Sequence, residues 1–183
     1  MSHCKERFKP MQLNPNFKQA VFEPEYISLT NRTMSIDVIN KHPSFLMKAY
    51  IAISRSNRQA LDKELSAIKT ALLKLNIDPF VFVDNYTFSV NQERKMMKQA
   101  AADIDRCNIP IAETSEKGIG IGVEVGYAKA KMKPIIYLRH KNADHSTTVS
   151  GISDFQIIYQ DIPYLERQLE DILTKAIKPG EKP

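Results

Sequence analysis

An α/β sandwich, with a five-stranded parallel sheet covered by helices on both faces, is the fold class this sequence predicts. Two observations carry it: short apolar runs of buried-strand type recur along the chain, and stretches of helical periodicity alternate with them. That alternation implies right-handed crossovers, hence a parallel sheet buried on both sides.

The elements begin near Lys48. AYIAIS (Ala49 to Ser54) is an apolar run of strand length, and Leu61, Leu65, Ile68, Leu72 and Leu75 then recur at spacings of four and three, one face of a helix. FVFV (Phe80 to Val83) reads as the second strand, opened by Pro79 and closed by Asp84-Asn85. A helix is expected from about Asn91 to Arg106 with Met97, Ala101 and Ile104 on its inner side, while Met96 flanks the core. IPIA (Ile109 to Ala112) is the third strand, and a glycine-rich turn leads into a helix near Gly122 to Lys131. KPIIYL (Lys133 to Leu138) and FQIIY (Phe155 to Tyr159) complete the strands. A last helix carries Leu165, Leu169, Ile172, Leu173 and Ala176. The expected three-layer arrangement is flavodoxin- or Rossmann-like.

Bulk properties narrow the function classes. The chain has 183 residues, 43% hydrophobic and 26% charged, enough for one domain with a substantial core. Its formal charge of +5 is modest and dispersed, with no Lys/Arg run longer than two, which argues against a nucleic acid polymer as partner. Cys4 and Cys107 are too few and too far apart for a thiolate metal site, and His140 and His145 lack ligand spacing, so no metal is expected. Cys107 reads as a buried small hydrophobe. No apolar stretch approaches 18 residues and none resembles a secretory leader, so a cytoplasmic protein without membrane contact is expected. Residues 1–46 hold four of the ten prolines (Pro10, Pro15, Pro24, Pro43) without sustained periodicity. The expected organisation is an extension over 1–46, a domain over 47–178 and a tail over 179–183.

In an open parallel sheet, ligands bind beyond the carboxyl ends of the strands. Four loops occupy that edge: Ser54-Arg55-Ser56-Asn57-Arg58, Asp84-Asn85-Tyr86, Glu113 to Gly122, and Arg139 to Gly151. The third is the most informative. Gly118, Gly120 and Gly122 alternate before a helix start, as in turns that bring backbone N–H groups close to an anion. No GK[ST] follows, so it is not a Walker loop, and the dinucleotide fingerprint is incomplete. Glu124, two residues past Gly122, is expected in the first helical turn. From spacing alone it is either a dipole-stabilising glutamate or a functional carboxylate.

The stretch KGIGIGVEVGYAKAKMKPIIYLR (Lys117 to Arg139) resembles the signature of the nucleoside 2-deoxyribosyltransferase superfamily, nearest to its branch of 2′-deoxynucleoside 5′-phosphate N-hydrolases. Ala112-Glu113, Gly120, Gly122, Glu124, Gly126, Ala128, Lys133 and Pro134 carry the match, and the resemblance extends from Lys48 to about Lys175. It implies a metal-free, cofactor-free homodimer with shared active sites. It also implies cleavage of the N-glycosidic bond of a nucleoside or nucleotide, with Glu124 attacking the anomeric carbon and Tyr50 bordering the sugar. It places the 5′-phosphate at Ser54, Arg55, Ser56 and Arg58, beside the glycine turn. Ser146, with Thr147 in the same hydroxyl-rich run, is implied to reach the phosphate from the neighbouring subunit. Two positions depart from the pattern: Gly118 stands where the family has Ser or Asp, and Ala100 where it has the aspartate serving the leaving base. Asp103, Asp84 and Glu93 are the candidates for that acid. A non-catalytic nucleotide-binding domain on the same scaffold is the alternative reading.

Overall fold

The computed structural model describes residues 47–177; the expected extension over 1–46 and the tail over 179–183 lie outside the described residues. The chain runs β1 (Met47–Ala52), α1 (Asp62–Lys74), β2 (Ile77–Val81), α2 (Phe82–Asn85), α3 (Glu93–Arg106), β3 (Ile109–Glu113), α4 (Ile119–Ala130), β4 (Ile136–His140), α5 (Thr147–Ile152), β5 (Phe155–Tyr159) and α6 (Ile162–Ile177). All five strands are parallel, in the order β2-β1-β3-β4-β5. The order reverses between β1 and β3, so the loops following these two strands diverge and open a crevice there.

Strand alternation sorts side chains onto two cores. Ala49 and Ile51 of β1, with Ile109 and Ile111 of β3, face α1 and α6, whose Leu65, Ile68, Leu72, Leu165, Leu169 and Leu173 fill that layer. Tyr50, Ala52 and Ala112 face the other way, against Ala100 and Ile104 of α3, Ile121, Val125 and Ala128 of α4, and Val149 of α5. Leu72 is fully buried, so Leu72→Ala is expected to cost about 2–5 kcal/mol, measurable by urea unfolding.

Several boundaries differ from the sequence reading, each for a local reason. The second strand starts and ends earlier than Phe80–Val83. Asn76, at φ 58°, turns the chain directly from α1 into β2. Phe82–Asn85 then coils into a helical turn in which the Asn85 amide donates to the Val81 carbonyl at 2.7 Å. Pro79 sits within β2, which tolerates it as an edge strand. The first strand spans 47–52 rather than 49–54, leaving Ser54 in the loop, and the fourth begins at Ile136, leaving Lys133 and Pro134 outside it.

The buried stripe of α3 is Ala100, Asp103 and Ile104, whereas Met97 is exposed and Ala101 partly so. A polar residue turned inward displaced the apolar ones expected there. Helix α4 begins at Ile119, which moves Glu124 from the first helical turn into the second. Within the stretch read as a loop from Arg139 to Gly151, α5 forms from Thr147 onward. Among the described residues no helix is long and apolar enough to cross a membrane.

Candidate active site

The crevice at the β1/β3 reversal is closed by direct contacts between the two diverging loops. The Asn57 amide donates to the Glu116 carboxylate at 2.5 Å. A Cβ at Gly118 would lie 3.3 Å from Ile121 Cδ1 and 3.5 Å from the Ser54 Cα. A side chain at Gly118 would thus sit at ordinary van der Waals distance from the β1 loop and crowd only Ile121 of its own helix. At Gly120 and Gly122 a Cβ would meet nothing within 4 Å, so their bareness leaves open space at the amino end of α4.

Two clefts flank this seam. One, of 630 Å³, is lined by Arg55, Ser56, Asn57, Arg58, Gln59, Ala60 and Val83. Its Arg58 is already engaged: Nε and Nη2 clamp Asp84 at 2.5 and 2.9 Å, and Nη1 meets Asp62 at 2.5 Å. Arg55 is exposed and makes no such pair, so it is the loop's available guanidinium. The other cleft, of 310 Å³, is bounded on one side by Thr114, Lys117 and Gly118 and on the other by His145, Ser146 and Thr147. Ser54, by contrast, is buried and lines neither.

Glu124, on α4, lines neither cleft and interacts with Tyr50, on which Asp103 also acts. It is partly buried, and this desolvation pushes its carboxyl up to about 7, while the Tyr50 hydroxyl acts in the opposite direction by stabilising the carboxylate. Tyr50 is 1% exposed, and its hydroxyl has no hydrogen bond of good geometry. Burial, then the Glu124 charge, hold its proton on well above the ordinary phenol range. The natural acceptor for that proton's hydrogen bond is Glu124. Asp103 also acts on Tyr50 through its charge, which places both carboxyl groups about one buried phenol.

Asp103 is 7% exposed and accepts from the Gln99 amide and Arg106 Nη2, each at 3.1 Å. The same Gln99 amide reaches the Tyr86 hydroxyl at 3.1 Å. Tyr86 belongs to an aromatic wall not anticipated from sequence. Its centroid lies 5.1 Å from Phe82, and Phe82 stacks on Phe88 at 6.0 Å and 18°. Its signal in the sequence is the spacing of Phe80, Phe82, Tyr86 and Phe88 through the loop after β2.

The sequence candidates therefore separate into groups. Glu124, Tyr50 and Asp103 come together. Asp84 does not join them: Arg58, through its hydrogen bonds, holds its carboxyl below the usual range, and Lys69 adds to this at 3.6 Å. It is a counter-ion rather than a proton donor. Glu93 is exposed at the start of α3. Gly118, Ser146 and Thr147 share one cleft, and Arg55, Ser56 and Arg58 the other. Burial raises the Cys107 thiol to about 11, which leaves it protonated and unreactive at neutral pH. Among the described residues no cluster of three or more His, Cys, Asp or Glu side chains is arranged to hold a metal ion.

Removing the Tyr50 hydroxyl takes away what stabilises the Glu124 carboxylate. Tyr50→Phe is therefore expected to move the ionisation of Glu124 above about 7, read by NMR titration of its side-chain carboxyl.

No family model matches the chain, and no curated protein sequence does. Solved structures do. A 2-deoxyribosyltransferase from Bacillus psychrosaccharolyticus aligns at a TM-score of 0.53 and 18% identity, over 67% of this chain and 95% of that one. A CMP N-glycosidase from Clostridium botulinum aligns at 0.47 and 21% identity, over 67% and 98%. A Leishmania mexicana 2-deoxyribosyltransferase aligns at 0.49 and 13%, over 68% and 97%. The five-stranded parallel order, together with the first of these alignments, shows that the chain shares the fold of that 2-deoxyribosyltransferase.

Proposed function

We propose that this protein cleaves the N-glycosidic bond of (2′-deoxy)nucleosides or their 5′-monophosphates through a covalent glycosyl-Glu124 intermediate. The observation that carries the reading is the grouping of Glu124 and Asp103 about the buried Tyr50 hydroxyl, beside an aromatic wall. Such a reaction takes one carboxylate as nucleophile and a second carboxyl group as proton donor.

The Glu124 carboxylate forms a bond to the anomeric carbon as the bond from that carbon to the base nitrogen breaks. The electron pair leaves with the base, and Asp103 delivers a proton to it. Water then attacks the anomeric carbon, releases Glu124 and returns the proton to Asp103. If a second base attacks instead, the outcome is transfer. Tyr86 and Phe88, packed on the buried Phe82, offer flat apolar surface for a base. Arg55 and Ser56, and the hydroxyls of Ser146 and Thr147, support a phosphate-bearing substrate and hence the hydrolysis of 5′-monophosphates. Ile119 is 92% exposed and Val123 49% exposed, an apolar strip on α4 that supports association of two copies through this helix.

The test is base release from a panel of nucleosides and 5′-monophosphates, with and without an added acceptor base. Free base plus sugar phosphate identifies a hydrolase, and a new nucleoside or nucleotide identifies a transferase. Nucleotide binding without release from any substrate would refute catalysis and leave a sensor.

A further inference from the structure

The face of the sheet opposite Glu124 and Asp103 buries a further carboxyl group that the chemistry above does not use. Glu113, the last residue of β3, is 0% exposed. It accepts hydrogen bonds from the Ser115 backbone N–H at 3.2 Å, the Ser115 hydroxyl at 2.5 Å and the Tyr159 hydroxyl at 2.9 Å. Ser115 Oγ in turn accepts from the His140 backbone N–H at 2.7 Å. One carboxyl group thus joins the ends of three strands, β3, β4 and β5. Glu64 of α1 faces the same spot, with Oε2 buried and unpartnered.

These contacts converge on the two loops that form the 310 Å³ cleft. Ser115 does not line the cleft itself but lies between Thr114 and Glu116, which do. His140 begins the segment leading to the opposite wall at His145 and Ser146. That segment is folded by Arg139 Nη1 on the Lys141 and Ala143 carbonyls and tethered where the Ser146 N–H meets the Tyr137 hydroxyl at 3.3 Å.

We infer that Glu113 is a positioning residue: it clamps the Thr114–Gly118 loop to the ends of β4 and β5, and thereby sets the spacing of the cleft between Gly118 and Ser146. The identity of the ligand in that cleft, the phosphate end of a nucleotide, rests on the function proposed above; the clamp does not. Burying a carboxyl group that touches no substrate is costly unless its hydrogen bonds are made, and here every one goes to a cleft-forming loop or to β5.

Glu113→Gln retains an acceptor for the Ser115 and Tyr159 hydroxyls, Tyr159→Phe removes one donor without loss of packing, and Glu113→Ala removes the clamp. Amide hydrogen exchange is expected to rise about tenfold over residues 114–118 and 141–147 in Glu113→Ala and Tyr159→Phe, to stay near wild type over 57–61, and to be largely restored in Glu113→Gln. On a Glu124→Gln background, calorimetry with a nucleoside 5′-monophosphate is expected to show about tenfold weaker binding for Tyr159→Phe. The matching nucleoside should bind nearly unchanged. Unaltered exchange in the two loops, or a uniform rise across the domain, overturns the clamp. Equal weakening toward nucleotide and nucleoside overturns its link to the cleft. A wild type that binds neither ligand defeats the proposed function instead, and the exchange measurement still decides the clamp.

Discussion

Glu124→Gln is expected to lower base release by about ten-thousand-fold while nucleotide affinity stays within a few-fold of wild type. Glutamine keeps the shape of the side chain but cannot form the glycosyl ester. The same substitution has a second readout, independent of substrate. In the folded protein Glu124 holds its proton up to about 7, against an ordinary value of 4.5. The folded state therefore binds that proton more tightly than the unfolded chain does. Stability from this residue is fully present below about 4.5 and is lost as the pH rises through about 7. Glutamine does not ionise, so Glu124→Gln is expected to have a higher Tm than wild type at pH 8 and nearly the same Tm at pH 4.5. Activity runs the other way: the nucleophile must be ionised, so the rate of the wild type rises with pH through about 7. An activity that falls as pH rises through that window would remove Glu124 from the role of nucleophile.

Asp103→Asn is expected to slow release of unactivated bases by about a hundred- to a thousand-fold. Substrates whose bases leave readily without a proton should lose much less, because in the proposed mechanism the missing group serves the leaving base alone. Asp103 is suited to this by position, nine-tenths buried beside Tyr50 and held by Gln99 and Arg106. Asp84→Asn is the informative contrast. Its carboxylate neutralises Arg58 and Lys69, so its loss should disturb the β1 loop and leave the dependence on the leaving group unchanged.

The periodicity of Leu61 to Leu75 and of Leu165 to Leu173, and the apolar strand runs, made the layers of the fold legible, because burial on both faces of a parallel sheet leaves few polar positions in the core strands. Boundaries were less legible where side chains override the pattern. Phe82 continues an apolar run, yet the Asn85 amide coils that segment. Asp103 breaks the expected inner face of α3 because Gln99 and Arg106 satisfy a buried carboxyl that periodicity assigns to solvent. Within the site, the glycine turn stood out through its spacing, and Glu124 through the family resemblance of the stretch that holds it. The pairing of Arg58 with Asp84 spans 26 residues, and the joining of Glu113 to Tyr159 spans 46; neither leaves a local trace.

The most direct test of Glu124 as nucleophile is to trap the glycosyl-enzyme. A substrate carrying fluorine at the 2′ position slows the second step by withdrawing charge from the anomeric carbon. Intact-protein mass spectrometry after mixing is then expected to show one added sugar or sugar phosphate per chain, mapped by proteolysis to the peptide containing Glu124 and absent from Glu124→Gln. Base release without any adduct on Glu124, or an adduct carried equally by Glu124→Gln, would contradict the account.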